Sequence, residues 1–330
     1  TLEASFLGIP LREWTVNVLP DTMLYPGGEL IGVRIDSKGL IAYKYEDIGE
    51  IPSPAKKANV HIGDIIQKLN GVETNNAVEF REKLNEVAPD GKMVRLTVIR
   101  DASLIDIMVS PAYSDKEQKW LIGLYIKDDI AGIGTLTYLN EDRSYFGALG
   151  HAIAEVKSGV TVPINKGELK GAQVISLVKG ERNEPGAIHG IIAKKDDYFG
   201  FISANNNFGI FGTYQGGLMD ATKKPMPIAL QGEVKTGPAT ILTTLGDKAK
   251  EYDIRINKVN QQAYPNTKSM VIQIVDPELL EKTGGIIQGM SGSPILQNGK
   301  IVGAVTHVMV NDPKMGYGVF IEWMLQNHMQ

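Results

Sequence analysis

From about residue 130 to its end, the chain breaks into short runs of β-branched and aromatic residues separated by Gly, Asn and Pro. Such runs fall at 134–138, 159–163, 172–177, 188–192, 208–211, 229–234, 254–259 and 270–275. Short strands at this spacing, with turn signals between them, argue against alternating βαβ units and predict an all-β barrel or sandwich. A short terminal helix is expected over 321–326. With 330 residues the chain is long for one hydrophobic core, so a second unit is expected ahead of the β-rich part. That part mixes strands with one amphipathic segment, 76–87, where Val78, Phe80 and Leu84 are separated by charges. Strand-like runs at 94–99 and 105–109 close it. The expected boundaries are an irregular extension over 1–26, a first domain over 27–112, a polar linker over 113–129 and a second domain over 130–330.

Composition excludes several chemistries. Hydrophobic residues make up 43% and charged residues 22%, a globular balance, and the net charge of −4 gives no electrostatic pull toward nucleic acid or an anionic membrane. With no cysteine, the chain has no disulfide framework, no thiol nucleophile and no Cys-ligated metal. No apolar run reaches the roughly eighteen residues a bilayer-spanning helix requires. The chain starts at Thr1, so a processed or trimmed form is expected, with a membrane signal or anchor in the full-length protein.

The first domain carries two recognisable segments. Gly28-Glu29-Leu30-Ile31-Gly32-Val33 has the makings of a Gly loop with an adjoining strand, and Ala58-Asn59-Val60-His61-Ile62-Gly63-Asp64-Ile65-Ile66 leads to an Asn70-Gly71 turn. Together they resemble the PDZ family, whose groove adds a peptide as an extra strand and holds its end with backbone N–H groups. On that resemblance Leu30, Ile31, Gly32 and Val33 are the expected peptide-binding residues, and peptide ends the expected ligand. His61 reads as a surface or packing residue.

The second domain holds Gly289-Met290-Ser291-Gly292-Ser293-Pro294. Small residues around a serine permit a tight turn that exposes the hydroxyl, and the same turn can aim the backbone N–H groups of Gly289 and Ser291 at one point, with Met290 between them. The segment resembles the Gly-x-Ser-Gly-x-Pro of chymotrypsin-like serine peptidases, which implies Ser291 as nucleophile and Gly289, Met290 and Ser291 as the oxyanion hole. After it come a strand, an Asn298-Gly299 hairpin and a second strand, then 316–321 ahead of the terminal helix. Of the five histidines, His151 in Phe146-Gly147-Ala148-Leu149-Gly150-His151 has the setting of the family's general base, and 291 − 151 = 140 residues suits the His-before-Ser order of a double barrel. His189 is the second choice; His307 follows the motif and His328 is at the chain end. His151 and Glu155 have i, i+4 spacing but no third ligand, so no metal is expected, and no cofactor. Gly132-Ile133-Gly134-Thr135 lacks the Lys and helix of a phosphate loop and reads as a strand turn.

The triad acid is open on the residues themselves. Spacing favours Asp196 or Asp197, although Lys194-Lys195-Asp196-Asp197-Tyr198 is a charged, solvated cluster. Asp276 ends an apolar run ahead of Pro277, yet lies only 291 − 276 = 15 residues before the serine. Gly285 occupies the position six before Ser291 where a charged specificity residue can stand, which suggests a pocket not dedicated to basic side chains.

The order of the two units, together with 132–137, 147–153 and 288–294, resembles the stage IV sporulation protein B family over about 25–325. The resemblance implies a mainly β chain, an N-terminal PDZ domain followed by a chymotrypsin-like double β-barrel, with Asp276 as the acid. It further implies export from the forespore into the space between two membranes and self-processing. It also implies cleavage of the extracytoplasmic part of a regulator of a membrane-embedded metalloprotease, which releases a late mother-cell sigma factor. The competing expectations are a PDZ-based scaffold or pseudoprotease that recruits a partner peptide, and a structural coat component.

Overall fold

The computed structural model describes residues 2–6, 9–14, 21–101, 103–155, 159–193 and 198–328. Its first long strand, β1 (Leu30–Tyr45), belongs to two domains. It passes Gly39 with φ +115°, where an added Cβ would lie 2.9 Å from both Ile65 Cγ2 and Ile66 O. Beyond that point it pairs with β2 (Ile65–Leu69). Helix α1 (Ala77–Val87) starts at Asn76, whose side chain accepts the N–H groups of Val78 and Glu79. It turns Phe80 and Leu84 into a core with Leu40, Ile66, Leu96 and Val98. Strand β3 (Val94–Arg100) joins β2, and β4 (Ser103–Val109) joins β3. Asp64 is buried and accepts two bonds from the Arg100 guanidinium at 2.8 and 2.6 Å, which fixes the Gly63-Asp64 corner of this PDZ unit.

Strand β5 (Leu124–Leu139) runs back antiparallel along β1. Its first part pairs Leu124 with Tyr45 and Lys127 with Ile41 inside the PDZ unit; its second pairs Asp129 with Asp36 and Thr135 with Leu30 inside the peptidase. The PDZ unit therefore hangs from a two-strand ribbon that continues into the peptidase. It precedes most of the peptidase, as expected, but residues 30–37 are already a peptidase strand and 124–127 a PDZ strand. The reason is local: β1 and β5 are each one continuous strand of 16 residues, so no turn separates one domain from the other.

Beyond β5, strand β6 (Tyr145–Ala148) is followed by β7 (Ile164–Val178), β8 (Ala187–Ile192), β9 (Tyr198–Asn206) and β10 (Gly209–Tyr214). The pairings β1–β5, β5–β6, β6–β10, β10–β9, β9–β7 and β7–β1 close a ring of six strands. Ile31, Val33, Ile35, Leu136, Phe146 and Leu169 fill it. Strand β8 pairs with β7 outside the ring and forms an arm. The arm's tip reaches the second barrel, where Asn183 N–H donates to Val310 O at 2.7 Å and Gly180 N–H to Thr283 O at 2.8 Å.

The second barrel contains β11 (Gly237–Thr244), β12 (Ala249–Val259), β13 (Met270–Ile274), helix α2 (Pro277–Thr283), β14 (Pro294–Gln297), β15 (Lys300–Met309) and β16 (Asp312–Phe320). Its strands close in the order β11-β12-β13-β16-β15-β14. Period-two alternation points Tyr252, Ile254 and Ile256 inward with Met270, Ile272 and Ile274 opposite. Asn298 and Gly299, at φ 52° and 74°, make the expected hairpin turn. The terminal helix α3 (Ile321–His328) closes the chain.

Candidate active site

Ser291 lies where the two barrels meet. It sits between Gly289 and Gly292, at φ 101° and 94°, so the turn is left-handed on both sides of the serine. A Cβ on Gly292 would meet Thr135 O at 2.1 Å and Leu149 N at 2.5 Å; only glycine lets the first barrel approach this closely. Strand β5 holds the turn. Thr135 N–H donates to Ser291 O at 2.9 Å, Thr135 Oγ1 to Gly289 O at 2.8 Å, and Thr137 Oγ1 to Gly292 O at 2.8 Å. From the other side Gly292 N–H donates to Val305 O at 2.8 Å.

With the Gly289 and Ser291 carbonyls both turned toward Thr135, the N–H groups of Gly289 and Ser291 have no acceptor among the described residues. They are the free donors an oxyanion hole requires. Met290 does not join them. Its N–H donates to Ile287 O at 3.1 Å and its side chain is buried in the second core.

His151 follows β6 through Leu149 and Gly150, left-handed at φ 69° and 70°. Its Nδ1 lies 2.8 Å from Ala152 O. A carbonyl only accepts, so Nδ1 carries the proton and Nε2 is the acceptor, the tautomer a general base needs. Burial lowers the His151 pKa, opposed by the Ala152 bond, so the ring is neutral near pH 7. His307 lies against it, ring centroids 4.9 Å apart. Burial, then the charges of His151 and Lys268, push His307 down to about 4. Ser291, His151 and His307 line one cavity of ≈ 650 Å³. The Ser291 hydroxyl donates to Thr306 O at 2.8 Å, and no hydrogen bond joins it to His151.

Asp276 does not line this cavity, and its carboxylate is bonded elsewhere than to His151. It caps helix α2: one oxygen accepts Leu279 N–H at 2.9 Å and the other Asp253 N–H at 3.3 Å. Its spacing before Pro277, which the sequence suggests as a buried strand end, is that of an N-cap with Pro at the first helical turn. Its link to the nucleophile is through the chain, since α2 ends in left-handed Gly284 and leads directly to 285–290. Asp196 and Asp197 lie outside the described residues. Ile31, Gly32 and Val33 form no free edge, because β5 pairs with one side of them and β7 with the other, and Leu30 pairs with Thr135 of β5 and is buried in the second core. Among the described residues no group of three or more His, Asp or Glu side chains could hold a metal ion. Thr135, Thr137, Thr306 and His307 were not singled out for the site by sequence; Thr135 and Thr137 are two apart and so share a strand face, a signal without meaning until the turn opposite is known.

The profile of the SpoIVB peptidase S55 family matches residues 118–325, and that of the PDZ domain matches 45–110. The chain belongs to the SpoIVB peptidase S55 family. It is a serine endopeptidase. Similar solved structures include the active form of the Rv3671c protease from M. tuberculosis, at 14% identity, 60% of this chain, 72% of that one and a TM-score of 0.34. The HtrA-type protease AlgW with a decapeptide stands at 13% identity, 61% and 52% coverage and a TM-score of 0.35. Deg5 stands at 14% identity, 59% and 81% coverage and a TM-score of 0.35. Within this S55 peptidase, the pairings of the two barrels bring Ser291 and His151 into one cavity from opposite sides.

Proposed function

We propose that this S55 peptidase is a sporulation signalling endopeptidase in which Ser291 attacks the peptide carbonyl and His151 takes its proton. The observation that carries the catalytic part is the shared cavity, with a left-handed turn presenting Ser291 and two unengaged N–H groups beside it. His151 Nε2 accepts the hydroxyl proton while Ala152 O holds Nδ1–H, and the N–H groups of Gly289 and Ser291 receive the oxyanion. Before attack, Ser291 leaves Thr306 O and turns to His151. A substrate N–H bonding to Thr306 O competes for that acceptor, so substrate binding itself releases the nucleophile.

The signalling part rests on family membership and on the PDZ unit. Its free edge is β5 at 124–127, which among the described residues pairs with β1 on one side only and runs near α1; Ala77 N–H donates to Asp128 at 3.1 Å, and Asn85 bonds to Trp120 N and O. That edge continues along β5 to Thr135 and Thr137, which hold the nucleophile turn, so a peptide seated at the edge and the catalytic turn share one strand. The protein substrate in this reading is the extracytoplasmic part of a regulator of a membrane-embedded metalloprotease. The place of action is the space between forespore and mother-cell membranes, the full-length chain carries a membrane anchor, and the enzyme also cleaves itself.

The register shows how to test the division of labour. Asp36 faces Asp129, so an Asn-Gly turn joining them removes the PDZ unit and leaves the barrel hairpin. The shortened protein is expected to hydrolyse a short unstructured peptide within about tenfold of the parent and to lose cleavage of the folded regulator segment. Unchanged cleavage of that segment, or loss of all reaction from a protein that still folds, contradicts it.

A further inference from the structure

We infer that Ile286 sets which side chain the peptidase accepts on the acyl side of the scissile bond, and that it selects a small aliphatic one. This rests on Ser291 being the nucleophile. The carbonyl carbon under attack must lie close to both Ser291 Oγ and the N–H groups of Gly289 and Ser291. Thr306 O is 2.8 Å from that Oγ, so the same substrate residue has its own N–H within reach of Thr306 O. Its side chain then enters the cavity between the segment before Ser291 and the β15 residues Thr306, His307 and Val308.

Ile286 lines that space. A Cβ on Gly316, across the barrel wall on β16, would lie 2.4 Å from Ile286 Cδ1 and 2.7 Å from His307 O. The Ile286 side chain therefore fills the room that glycine at 316 leaves between β15 and β16. It is 3% exposed and packs into the second core, so the floor is fixed and apolar. Nor can the neighbouring position supply a charge, because a Cβ on Gly285 would meet Pro313 O at 2.2 Å. Of the titratable groups of the cavity, His307 stands in the wall of this space and His151 faces it across Ser291; burial lowers the pKa of both rings, so neither puts a charge on the floor near pH 7. Glu155 follows His151 in the first-barrel loop, where its N–H donates to Val160 O. Pocket floors decide acyl-side specificity by charge and depth. This floor has no charge for a basic or acidic side chain and, with Ile286 in place, no depth for an aromatic one.

The test uses peptidyl diphenylphosphonates that differ only in the acyl-side residue, Val, Phe, Lys or Asp, with the rate of Ser291 labelling measured on the whole protein. The Val probe is expected to react at least about tenfold faster than the others. In Ile286→Ala the Phe probe should overtake the Val probe, while the Lys and Asp probes stay slow. If thermal unfolding shows that variant to be unfolded, Ile286→Val should raise the Phe-to-Val ratio a few-fold. A Lys, Asp or Phe probe fastest on the parent, or a Phe-to-Val ratio unmoved by the folded variant, overturns the assignment to Ile286. Labelling by a simple alkyl fluorophosphonate with none by any peptidyl probe also overturns it. Failure of the alkyl reagent too removes the nucleophile reading, and this inference with it.

Discussion

Neighbouring groups in the nucleophile turn have different roles. The N–H groups of Gly289 and Ser291 are open to a substrate, whereas that of Met290 is spent on Ile287 O. His151 has its tautomer fixed by a backbone carbonyl and its pKa lowered by burial. In the proposed mechanism its neutral form is the base, so kcat/KM should rise with pH through a value below the ordinary 6.5 for imidazole. An acid limb above that value contradicts the assignment. His307 gives a second, separate effect. Because its folded pKa falls from 6.5 to about 4, its contribution to stability is present above pH 6.5 and is lost as pH falls through about 4. His307→Phe should flatten the loss of thermal stability over that window; an unchanged profile contradicts it. Asp276 caps helix α2, a role that its place before Pro277 did not announce. Asn caps helices as well as Asp, whereas Ala costs about 1 kcal/mol. Asp276→Asn should therefore keep turnover within about tenfold of the parent, and Asp276→Ala should lose stability and turnover together. A fall of several orders of magnitude in the Asn variant, with its melting temperature unchanged, makes Asp276 the triad acid after all.

Among the elements, β5 is the one on which the site depends. The Thr135 and Thr137 hydroxyls bond to Gly289 O and Gly292 O, so they fix the peptide planes on either side of Ser291. Thr135→Val keeps the shape and removes one of these bonds, at a cost of about 1 kcal/mol. It should lower kcat more than it raises KM, because the donors it positions act on the transition state; an equal change in the two would place Thr135 in substrate binding instead. Gly289 to Pro294 was legible in the sequence because glycine and serine spacing reports a turn directly, and Asn298-Gly299 reported its hairpin for the same reason. The shared strands were not legible. Residues 30–35 are an apolar run that suits a PDZ strand and a barrel strand alike, and only their pairing with β5 and β7 tells which they are. Asp276 is ambiguous for a similar reason: an acid before Pro277 at the end of an apolar run reads as a buried strand end, and only its partners show that it also caps a helix.

At the scale of the molecule, two six-strand barrels bring Ser291 and His151 to one cavity, and a PDZ unit is set into the ribbon that starts the first barrel. The mainly β fold class could be read from the short strand runs and turn signals, and Ser291 and His151, singled out by their turn settings, line one cavity. The insertion of the PDZ unit and the neighbour His307 depend on contacts between segments far apart in the chain, which no local pattern encodes. The account centres on Ser291, and alkyl fluorophosphonate labelling followed by peptide mapping tests it most directly. The account predicts stoichiometric label on Ser291, none on the folded Ser291→Ala protein, and labelling slowed by orders of magnitude in His151→Ala. Equal labelling of the Ser291→Ala protein, or label on another serine of the parent, would contradict it.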